Sequence, residues 1–524
     1  MLQKVRDLAK NLAVYGAGDV AIQIVSFLLV PIYVRFLSPA DYGVLGLLGG
    51  VEAAAKLFFR WGLDGAFMRF WYDCEDAPAR QRLASTIFFF LLAVNALLLI
   101  ASVSAAPFLS LRLLGAPGYT LALQLVLLNT FAIAFTFIPF HVMRIEQRTR
   151  AFSGLTFSRS LATLVLRILL VVGLGYGIWG VVVADVLVTA GVMLWMVRWF
   201  APLIRPVFAT GRLRESLAFG LPRLPHAIAQ QVMAVGDRFI LSGFGTLADI
   251  GVYSMSVSFG LIPKLFLSAF ENAWAPFYYA TSREPDGART FGAVTTYVFA
   301  VLVLLTTGLA AIGRDLLALV VGSAYAAGGP VIAWTAVGVL LQGVYLLTSI
   351  GLNITKHTRY YPVSTIAGAG CNVGLNLFLI PRYGIVGAAW ANAAAYGVQA
   401  VVAYVFSQRF YPITYERGRI TRVAVAGAVA YVIAILLPDM RPLLGVLTRG
   451  TTVVMVMGGL LGLTGFLHSD EWRGLLAMRR RRPAAVAPPE TVEKAGEIVT
   501  TDLPDDLEMP DIPGSQDRPE SRRS

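Results

Sequence analysis

Charged residues are scarce in this 524-residue chain, where Asp, Glu, Lys and Arg together make up only 14% of the sequence. An ordinary soluble domain carries about a quarter, and the mean hydropathy here is +0.68. The composition therefore excludes a soluble globular enzyme and indicates an integral membrane protein. Cysteine is nearly absent too. Cys74 lies in a predicted loop and Cys371 in a predicted helix, which excludes a disulfide framework.

Motifs for nucleotide, metal and acyl-transfer chemistry are also missing from the sequence. No G-x-x-x-x-G-K-[ST] pattern occurs, so we expect no ATP hydrolysis by this chain. The segment GYGIWG (175–180) fits the dinucleotide pattern G-x-G-x-x-G, but it lies in a turn between apolar segments without a βαβ unit. No cluster has metal-ligand spacing, and no Ser/His/Asp set stands out. We therefore expect no catalytic residues, metal or cofactor, and a protein that is not an enzyme.

Apolar segments of about 20 residues, the length that crosses a bilayer, recur along most of the chain. The first segment lacks a small-residue cleavage site and is too long for a signal peptide, so we expect it to remain as a helix. The sequence thus predicts fourteen transmembrane helices, numbered here as spans 1 to 14: 11–36, 41–68, 83–106, 119–142, 152–174, 178–200, 216–241, 249–275, 291–312, 327–350, 361–380, 384–407, 420–437 and 443–466.

Lys and Arg near the ends of the spans collect on one side of the predicted membrane. Because cytoplasmic loops carry an excess of these residues, an even number of spans places both termini in the cytoplasm, and the protein in the cytoplasmic (inner) membrane. The net charge of +12 is explained by this topology and by anionic headgroups, so nucleic acid is not needed as a partner.

Two short sequences occur twice at nearly the same offset. LSPADYGVLGL (37–47) matches GTLADIGVYSM (245–255) at a shift of 208, and YGIWGVVVAD (176–185) matches YGIVGAAWAN (383–392) at a shift of 207. Since the offset crosses an even number of spans, the two copies run parallel, related by an axis along the membrane normal. Secondary transporters use such repeats, and their two bundles rock about a central site.

The repeat predicts the domain organisation of the whole chain. We expect an all-α membrane fold of two parallel six-helix lobes, followed by two more spans, a short amphipathic helix on the cytoplasmic face and a disordered, acidic tail. The predicted boundaries are 1–205, 206–410, 411–468, 469–482 and 483–524.

Four charged residues in span 2 recur at four-residue steps: Glu52, Lys56, Arg60 and Asp64. Because four residues turn a helix by about 400°, they share one broad face, on which Glu52 is placed to pair with Lys56 and Arg60 with Asp64. Charges within a bilayer usually face a cavity or a partner. Two interpretations stay open: the pairs lock helices together, or the residues line a wet cavity.

Other polar side chains concentrate in spans 1, 7 and 8, which together with span 2 form equivalent pairs in the two lobes. Spans 3, 4, 9, 13 and 14 carry almost no buried charge, so we expect them to face lipid. The pattern predicts a charged cavity between the lobes. Its candidate residues outside span 2 are Asp19, Gln23, His226, Gln230, Asp237, Arg238, Lys264, Glu271 and Asn272. Arg159, Arg167 and Asp185 lie in spans 5 and 6, and we favour a snorkelling position for Arg159.

Three motifs, together with this layout, resemble a known family. They are LSPADYG (37–43), the pattern Gly-Leu-x-x-Ala-x-x-Arg within WGLDGAFMRFW (61–71), and FENAWAPFYY (270–279). The chain resembles the oligosaccharide and O-antigen flippases, which are polysaccharide biosynthesis proteins of the MATE-like superfamily. The resemblance extends over about 5–470.

The resemblance implies alternating access that moves a lipid-linked oligosaccharide on an undecaprenyl-type pyrophosphate from the cytoplasmic to the outer leaflet. The candidates for the substrate cavity are Arg60, Lys264 and Arg238 for phosphate, Asn272, Gln23, Gln230 and Trp274 for sugars, and Lys56 as a further lining residue. The candidates for coupling to an H⁺ or Na⁺ gradient are Asp64, Asp237, Glu271 and Asp19.

The expected partners are membrane lipids, the lipid-linked oligosaccharide, and a polymerase or other polysaccharide-assembly proteins. The prenyl tail is expected to stay in lipid beside spans 13 and 14. Three alternatives stay open: a MATE-type multidrug or cation antiporter, a lipid II flippase, and a membrane polysaccharide polymerase or ligase. The short outer loops argue against the last of these.

Overall fold

A computed structural model describes residues 30–466, and within this range the chain is helical without a β-strand. The all-α membrane fold is therefore confirmed. Among these residues ten helical segments are long and apolar enough to cross a membrane, or eleven when one bent pair counts as a single span. The total of fourteen stays a prediction. Most of span 1, with Asp19 and Gln23, lies outside the described residues, as do the predicted interfacial helix (469–482) and tail (483–524).

Eighteen α-helices follow one another in the described range. Those of the first half (30–205) are α1 Val30–Tyr33, α2 Pro39–Arg60, α3 Leu63–Trp71, α4 Ala77–Leu114, α5 Thr120–Phe135, α6 Phe137–Ile145, α7 Thr149–Arg167 and α8 Gly177–Phe200. Those of the second half (206–466) are α9 Thr210–Gly220, α10 Leu224–Leu241, α11 Leu247–Gly260, α12 Pro263–Thr281, α13 Gly287–Val320, α14 Gly329–Thr348, α15 Ile350–Ile354, α16 Tyr360–Phe410, α17 Arg417–Ile435 and α18 Pro442–Leu463.

The repeated loop is a helix start in both halves. Before α2, the Ser38 hydroxyl accepts the Asp41 amide at 3.2 Å, and the Asp41 carboxylate accepts the Ser38 amide at 2.8 Å. Before α11, Thr246 and Asp249 make the same two bonds at 3.2 and 2.9 Å. Each pair is a capping box, which satisfies amides that a helix leaves free at its first turn. The loop sequence occurs twice because α2 and α11 begin with the same kind of cap.

The two capped helices cross each other directly. A Cβ added at Gly43 would overlap the Leu247 carbonyl, and one added at Gly251 would overlap the Pro39 carbonyl. Gly251 lies 208 residues after Gly43, and Leu247 lies 208 residues after Pro39. A reciprocal contact of this kind is what a local twofold axis between α2 and α11 produces. The lobe boundaries themselves stay predictions.

Several spans are broken within the membrane region. Between α2 and α3, Trp61 and Gly62 both take left-handed backbone angles, with φ of 53° and 68°. Asn95 of α4 holds the break: its amide donates to the Phe59 carbonyl at 2.7 Å and accepts the Trp61 indole at 3.2 Å. A carbonyl freed at a break in a membrane helix needs such a partner. In the second half, α11 and α12 are bent by 47°.

Of spans 9, 13 and 14, which were predicted to carry almost no buried charge, span 14 contains the buried Arg449, and two further buried charges lie just beyond the predicted ends of spans 9 and 13. That these spans face lipid stays a prediction. Arg449 of α18 and Asp315 of α13 are both buried and form an ion pair. Arg419, at the start of α17, is also buried and donates to Glu416 at 3.1 Å. The sequence did not indicate these contacts, because Asp315 and Arg419 fall just beyond the apolar segments and are buried only when α17 and α18 pack on α13.

Candidate functional site

A cavity of about 440 Å³ lies where the α2–α3 break faces the start of α10. We call it the α2 cavity. It is charged, and most of its charges are positive, since Lys56, Arg60 and Arg223 line it together with Asp64. The other lining residues are Ala53, Leu57, Gly62, Gly65, Leu224, Ala227 and Gln231.

Both ion pairs expected on span 2 are present. Lys56 Nζ lies 2.5 Å from Glu52, whereas Arg60 lies 3.8 Å from Asp64, at the outer limit of an ion pair. The Arg60 and Asp64 side chains are 36% and 40% exposed, so solvent screens the contact further. In addition, Arg60 Nε is buried without a hydrogen-bond partner among the described residues. Arg60 thus has spare capacity to bind an anion.

Sequence reasoning missed two residues of this cavity. Arg223 precedes α10, and its guanidinium lies 4.2 Å from the centre of the Phe219 ring in a cation–π contact. Gln231 lines the cavity in place of the predicted Gln230. The only available signal for Arg223 was its position near the start of an apolar span, which it shares with residues that snorkel to the surface.

A second cavity, of about 340 Å³, lies between α2, α8 and α11, and we call it the Asp185 cavity. Its charged residues are Glu52, Arg167, Asp185 and Arg238. Arg167 binds Asp185 through two bonds of 3.0 and 2.6 Å, the bidentate geometry that suits a guanidinium and a carboxylate. Arg238 Nε is buried and lacks a hydrogen-bond partner in the range 30–466.

The two cavities flank the same stretch of α2. Glu52 lines the Asp185 cavity, and its ion-pair partner Lys56 lines the α2 cavity. Together the two linings carry five cationic side chains and three carboxylates. Arg167 and Asp185 therefore face a cavity, although sequence reasoning placed neither among the substrate residues. The combined site favours an anionic ligand.

The candidates on α12 lie elsewhere. Lys264, Glu271 and Asn272 are exposed on α12, but they line neither cavity. Lys264 has no ion-pair partner among residues 30–466. Whether these three residues contact a substrate stays a prediction.

Trp274 requires a correction. Its side chain is 1% exposed, and its ring packs 5.1 Å from that of Phe270 and 5.5 Å from that of Phe277. It belongs to an apolar core cluster and cannot contact a sugar in this conformation. The error arises because Trp274, Lys264 and Glu271 share one helix, and the sequence does not say which face of that helix packs against α13 and α14.

Asp237 is buried within α10 rather than open to a cavity. Its carboxylate accepts hydrogen bonds from the Tyr253 hydroxyl of α11 and from the Arg238 amide, the latter at 2.8 Å. Its predicted role in ion coupling stays a prediction. Within the described range, no three His, Cys, Asp or Glu side chains are grouped so that they could hold a metal ion.

Solved structures with the same fold are membrane transporters. The lipid II flippase MurJ in an inward closed conformation is 13% identical with a TM-score of 0.66, covering 87% of this chain and 99% of that protein. An inward-facing multidrug resistance transporter of the MATE family is 16% identical with a TM-score of 0.60, covering 76% and 94%. Identities this low show the fold alone, and they confirm the predicted MATE-like architecture. A search of curated proteins gives no match.

The sequence itself matches one family model. The match spans residues 32–330, more than half of the chain, and includes the LSPADYG loop and both cavities' α2 residues. The predicted resemblance is thereby confirmed, and the chain belongs to the family of polysaccharide biosynthesis proteins.

Proposed function

We propose that this protein is a flippase that moves a lipid-linked oligosaccharide, carried on an undecaprenyl-type pyrophosphate, across the cytoplasmic membrane. The observation that carries the proposal is the excess of cationic side chains in the α2 cavity, in a member of the polysaccharide biosynthesis family. The glycan would serve a surface polysaccharide such as O-antigen.

The chemistry of the cargo explains the residues of the cavity. A pyrophosphate and its sugars cannot enter hydrocarbon without a large loss of hydration, so a carrier must supply charge and hydrogen bonds along the path. Arg60 and Arg223 offer forked donors, which bind phosphate oxygens in pairs, and Lys56 adds a third cation. Because Asp64 holds Arg60 only at 3.8 Å, the pyrophosphate displaces a weak partner. Gln231 is placed to hydrogen-bond a sugar hydroxyl.

Transport proceeds by alternating access of the two halves. The α2 cavity would receive the headgroup, and the crossing of α2 and α11 would hold the two halves in contact during the cycle. The prenyl tail stays in the surrounding lipid, so only the polar part travels through the protein. An H⁺ or Na⁺ gradient would drive the cycle, and the buried Asp237 is the acidic group placed between α10 and α11 to respond to it. A polymerase that accepts the flipped product is the expected partner.

The test uses proteoliposomes with a fluorescent prenyl-pyrophosphate oligosaccharide. We expect Arg60→Ala and Arg223→Ala to slow its leaflet exchange by about tenfold or more each, which corresponds to about 1.4 kcal/mol of lost phosphate contact. Arg212→Ala is the matched control, because Arg212 forms an exposed ion pair with Glu215 at 3.2 Å outside both cavities. Lys264→Ala shows whether α12 also contacts the cargo.

A cationic dye is offered in parallel as a competing substrate. Dye uptake driven by an ion gradient, with no movement of the lipid-linked sugar, would show that the protein is an antiporter and not a flippase. Faster exchange of lipid II than of other prenyl-linked glycans would identify the protein as a lipid II flippase. If exchange were equally fast in wild type, Arg60→Ala and Arg223→Ala, the pyrophosphate would not bind in the α2 cavity.

A further inference from the structure

A third cavity, of about 290 Å³, lies at one end of the first half and takes no part in the proposed transport path. We call it the Trp71–Trp199 pocket. It is built from the end of α3, the start of α4, α6 with the turn after it, and the end of α8. Its lining residues are Trp71, Ala77, Arg80, Gln81, Pro139, Val142, Met143, Glu146, Arg148, Trp199, Phe200, Pro202 and Leu203. It shares no residue with the α2 or Asp185 cavity.

Two arginines are fixed at the pocket by tryptophan rings. The Arg80 guanidinium lies 5.6 Å from the centre of the Trp71 ring, and the Arg148 guanidinium lies 5.7 Å from that of Trp199. Arg148 is also held by Glu146 at 2.7 Å. Arg80 has no carboxylate partner among residues 30–466. The lining thus carries one more positive than negative charge, and one guanidinium is available to an anion.

The side chains around the pocket are of the kind found at the level of the lipid headgroups. Trp195 and Trp199 stack on α8 with their rings 5.5 Å apart, and both are largely exposed, as are Leu194 and Val197 beside them. Exposed tryptophans next to exposed aliphatic residues are typical of the membrane–water boundary. The segments that surround the pocket carry eight arginines against four acidic residues: Arg69, Arg80, Arg82, Arg144, Arg148, Arg150, Arg198 and Arg205 against Asp73, Glu75, Asp76 and Glu146. This is the end predicted to face the cytoplasm.

We propose that the Trp71–Trp199 pocket binds the phosphate headgroup of an anionic phospholipid. Basic pockets between transmembrane helices on the cytoplasmic side are suited to such headgroups. The phosphodiester would lie between Arg80 and Arg148, and Gln81 would hydrogen-bond the glycerol part. The apolar wall of Pro139, Val142 and Met143 would meet the start of the acyl chains.

The lining also selects against two related ligands. A zwitterionic lipid carries a quaternary ammonium group that seeks an aromatic face, but arginines already cover the faces of Trp71 and Trp199. A prenyl pyrophosphate carries more negative charge than the single excess cation of this pocket neutralises. It suits the α2 cavity better, because three cations face one carboxylate there. The bound lipid would anchor the end of the first half in the cytoplasmic leaflet while the second half moves.

The experiment measures phospholipid retained by the full-length protein in native mass spectrometry, after incubation with equal amounts of phosphatidylglycerol and phosphatidylcholine. We expect wild type to retain one phosphatidylglycerol with about a tenfold preference, and Arg80→Gln/Arg148→Gln to bind it at least tenfold more weakly, because both charge-assisted contacts to the phosphate are lost. Arg409→Gln/Arg417→Gln is the control, because these exposed arginines lie at the same predicted membrane side in the second half.

Several outcomes would overturn the proposal. They are equal retention of the two lipids by wild type, an equal loss in the Arg409/Arg417 control, and displacement of phosphatidylglycerol by a short-chain prenyl pyrophosphate at the same concentration. If the double variant does not give monodisperse protein, Glu146→Gln takes its place, since it removes the pocket's carboxylate. We expect that change to tighten phosphatidylglycerol binding about threefold by removing one repulsion, and unchanged or weaker binding would contradict the proposal. The readout does not depend on flippase activity.

Discussion

Two ion pairs, Arg167–Asp185 in the first half and Arg449–Asp315 in the second, are arranged in opposite ways. In the first half, Lys56, Arg60 and the Arg167–Asp185 pair are partly exposed and line cavities. In the second half, the Arg449–Asp315 pair is sealed between helices. Both kinds of group lie on apolar helices, and both contain arginine and aspartate. The difference shows that a charge within a membrane helix either faces a cavity, where we propose that it acts as a ligand, or is sealed between helices as a lock, and that tertiary packing decides which.

The largest expected effect concerns the sealed pair. We expect Arg449→Ala to reduce the free energy of unfolding by about 3–5 kcal/mol, because it leaves the Asp315 carboxylate buried without its partner. The combination Arg449→Met/Asp315→Leu should restore most of this loss. Chemical unfolding in detergent micelles measures both. Arg441→Ala at the exposed start of α18 is the control. An equal loss of unfolding free energy in this variant would contradict the distinction between a buried ion pair and one that lines a cavity.

The second prediction concerns the crossing where the halves are alike. We expect Gly43→Ala to lower the free energy of unfolding by about 1–3 kcal/mol, since its Cβ would overlap the Leu247 carbonyl and the helices must separate. Gly251→Ala should cost a similar amount, because its contact with Pro39 is the reciprocal one. Gly49→Ala is the matched control on the same helix, where an added Cβ meets nothing within 4 Å. A large loss at Gly49 would show that the effect is not due to the crossing.

The smallest change in stability is expected at the pair that lines a cavity. Arg167→Gln should cost about 1 kcal/mol or less, because Arg167 and Asp185 are 35% and 26% exposed and solvent screens them. The same substitution should slow leaflet exchange of the lipid-linked sugar about tenfold, by removing a cation from the site. Unfolding and transport are measured on one preparation. If Arg167→Gln lowered stability as much as Arg449→Ala and left transport normal, the Arg167–Asp185 pair would serve to hold helices together, as the Arg449–Asp315 pair does.

Local signals in the sequence predicted the parts of the fold that local physics determines. The two loops at 37–47 and 245–255 were recognised as equivalents, and both form capping boxes, because a cap needs only residues three positions apart. The charged face of α2 was predictable for the same reason, since residues four apart lie on one side of a helix. The polar face therefore followed from spacing alone.

Long-range packing set the limit of the prediction. Whether Trp274 faces a cavity or a core depends on which helices cover α12, and no pattern within 263–281 carries that information. Gln231 lines the α2 cavity and Gln230 does not, because one residue turns the side chain by about 100° around the helix. Arg223 and Arg449 were missed because residues near the end of a span are usually solvated, and only the assembled bundle brings Arg223 to a cavity and buries Arg449.

The crossing of α2 and α11 is, in its geometry, an isologous dimer interface contained in one polypeptide. In a dimer of identical chains, a substitution near the twofold axis changes both sides of the contact at once. Here each side has its own codon, so the two surfaces can be altered independently. Gly46 already faces Ser254, its own counterpart at the same offset of 208. Joining the halves in one chain thus allows the crossing to become asymmetric, which a symmetric pair of subunits cannot do.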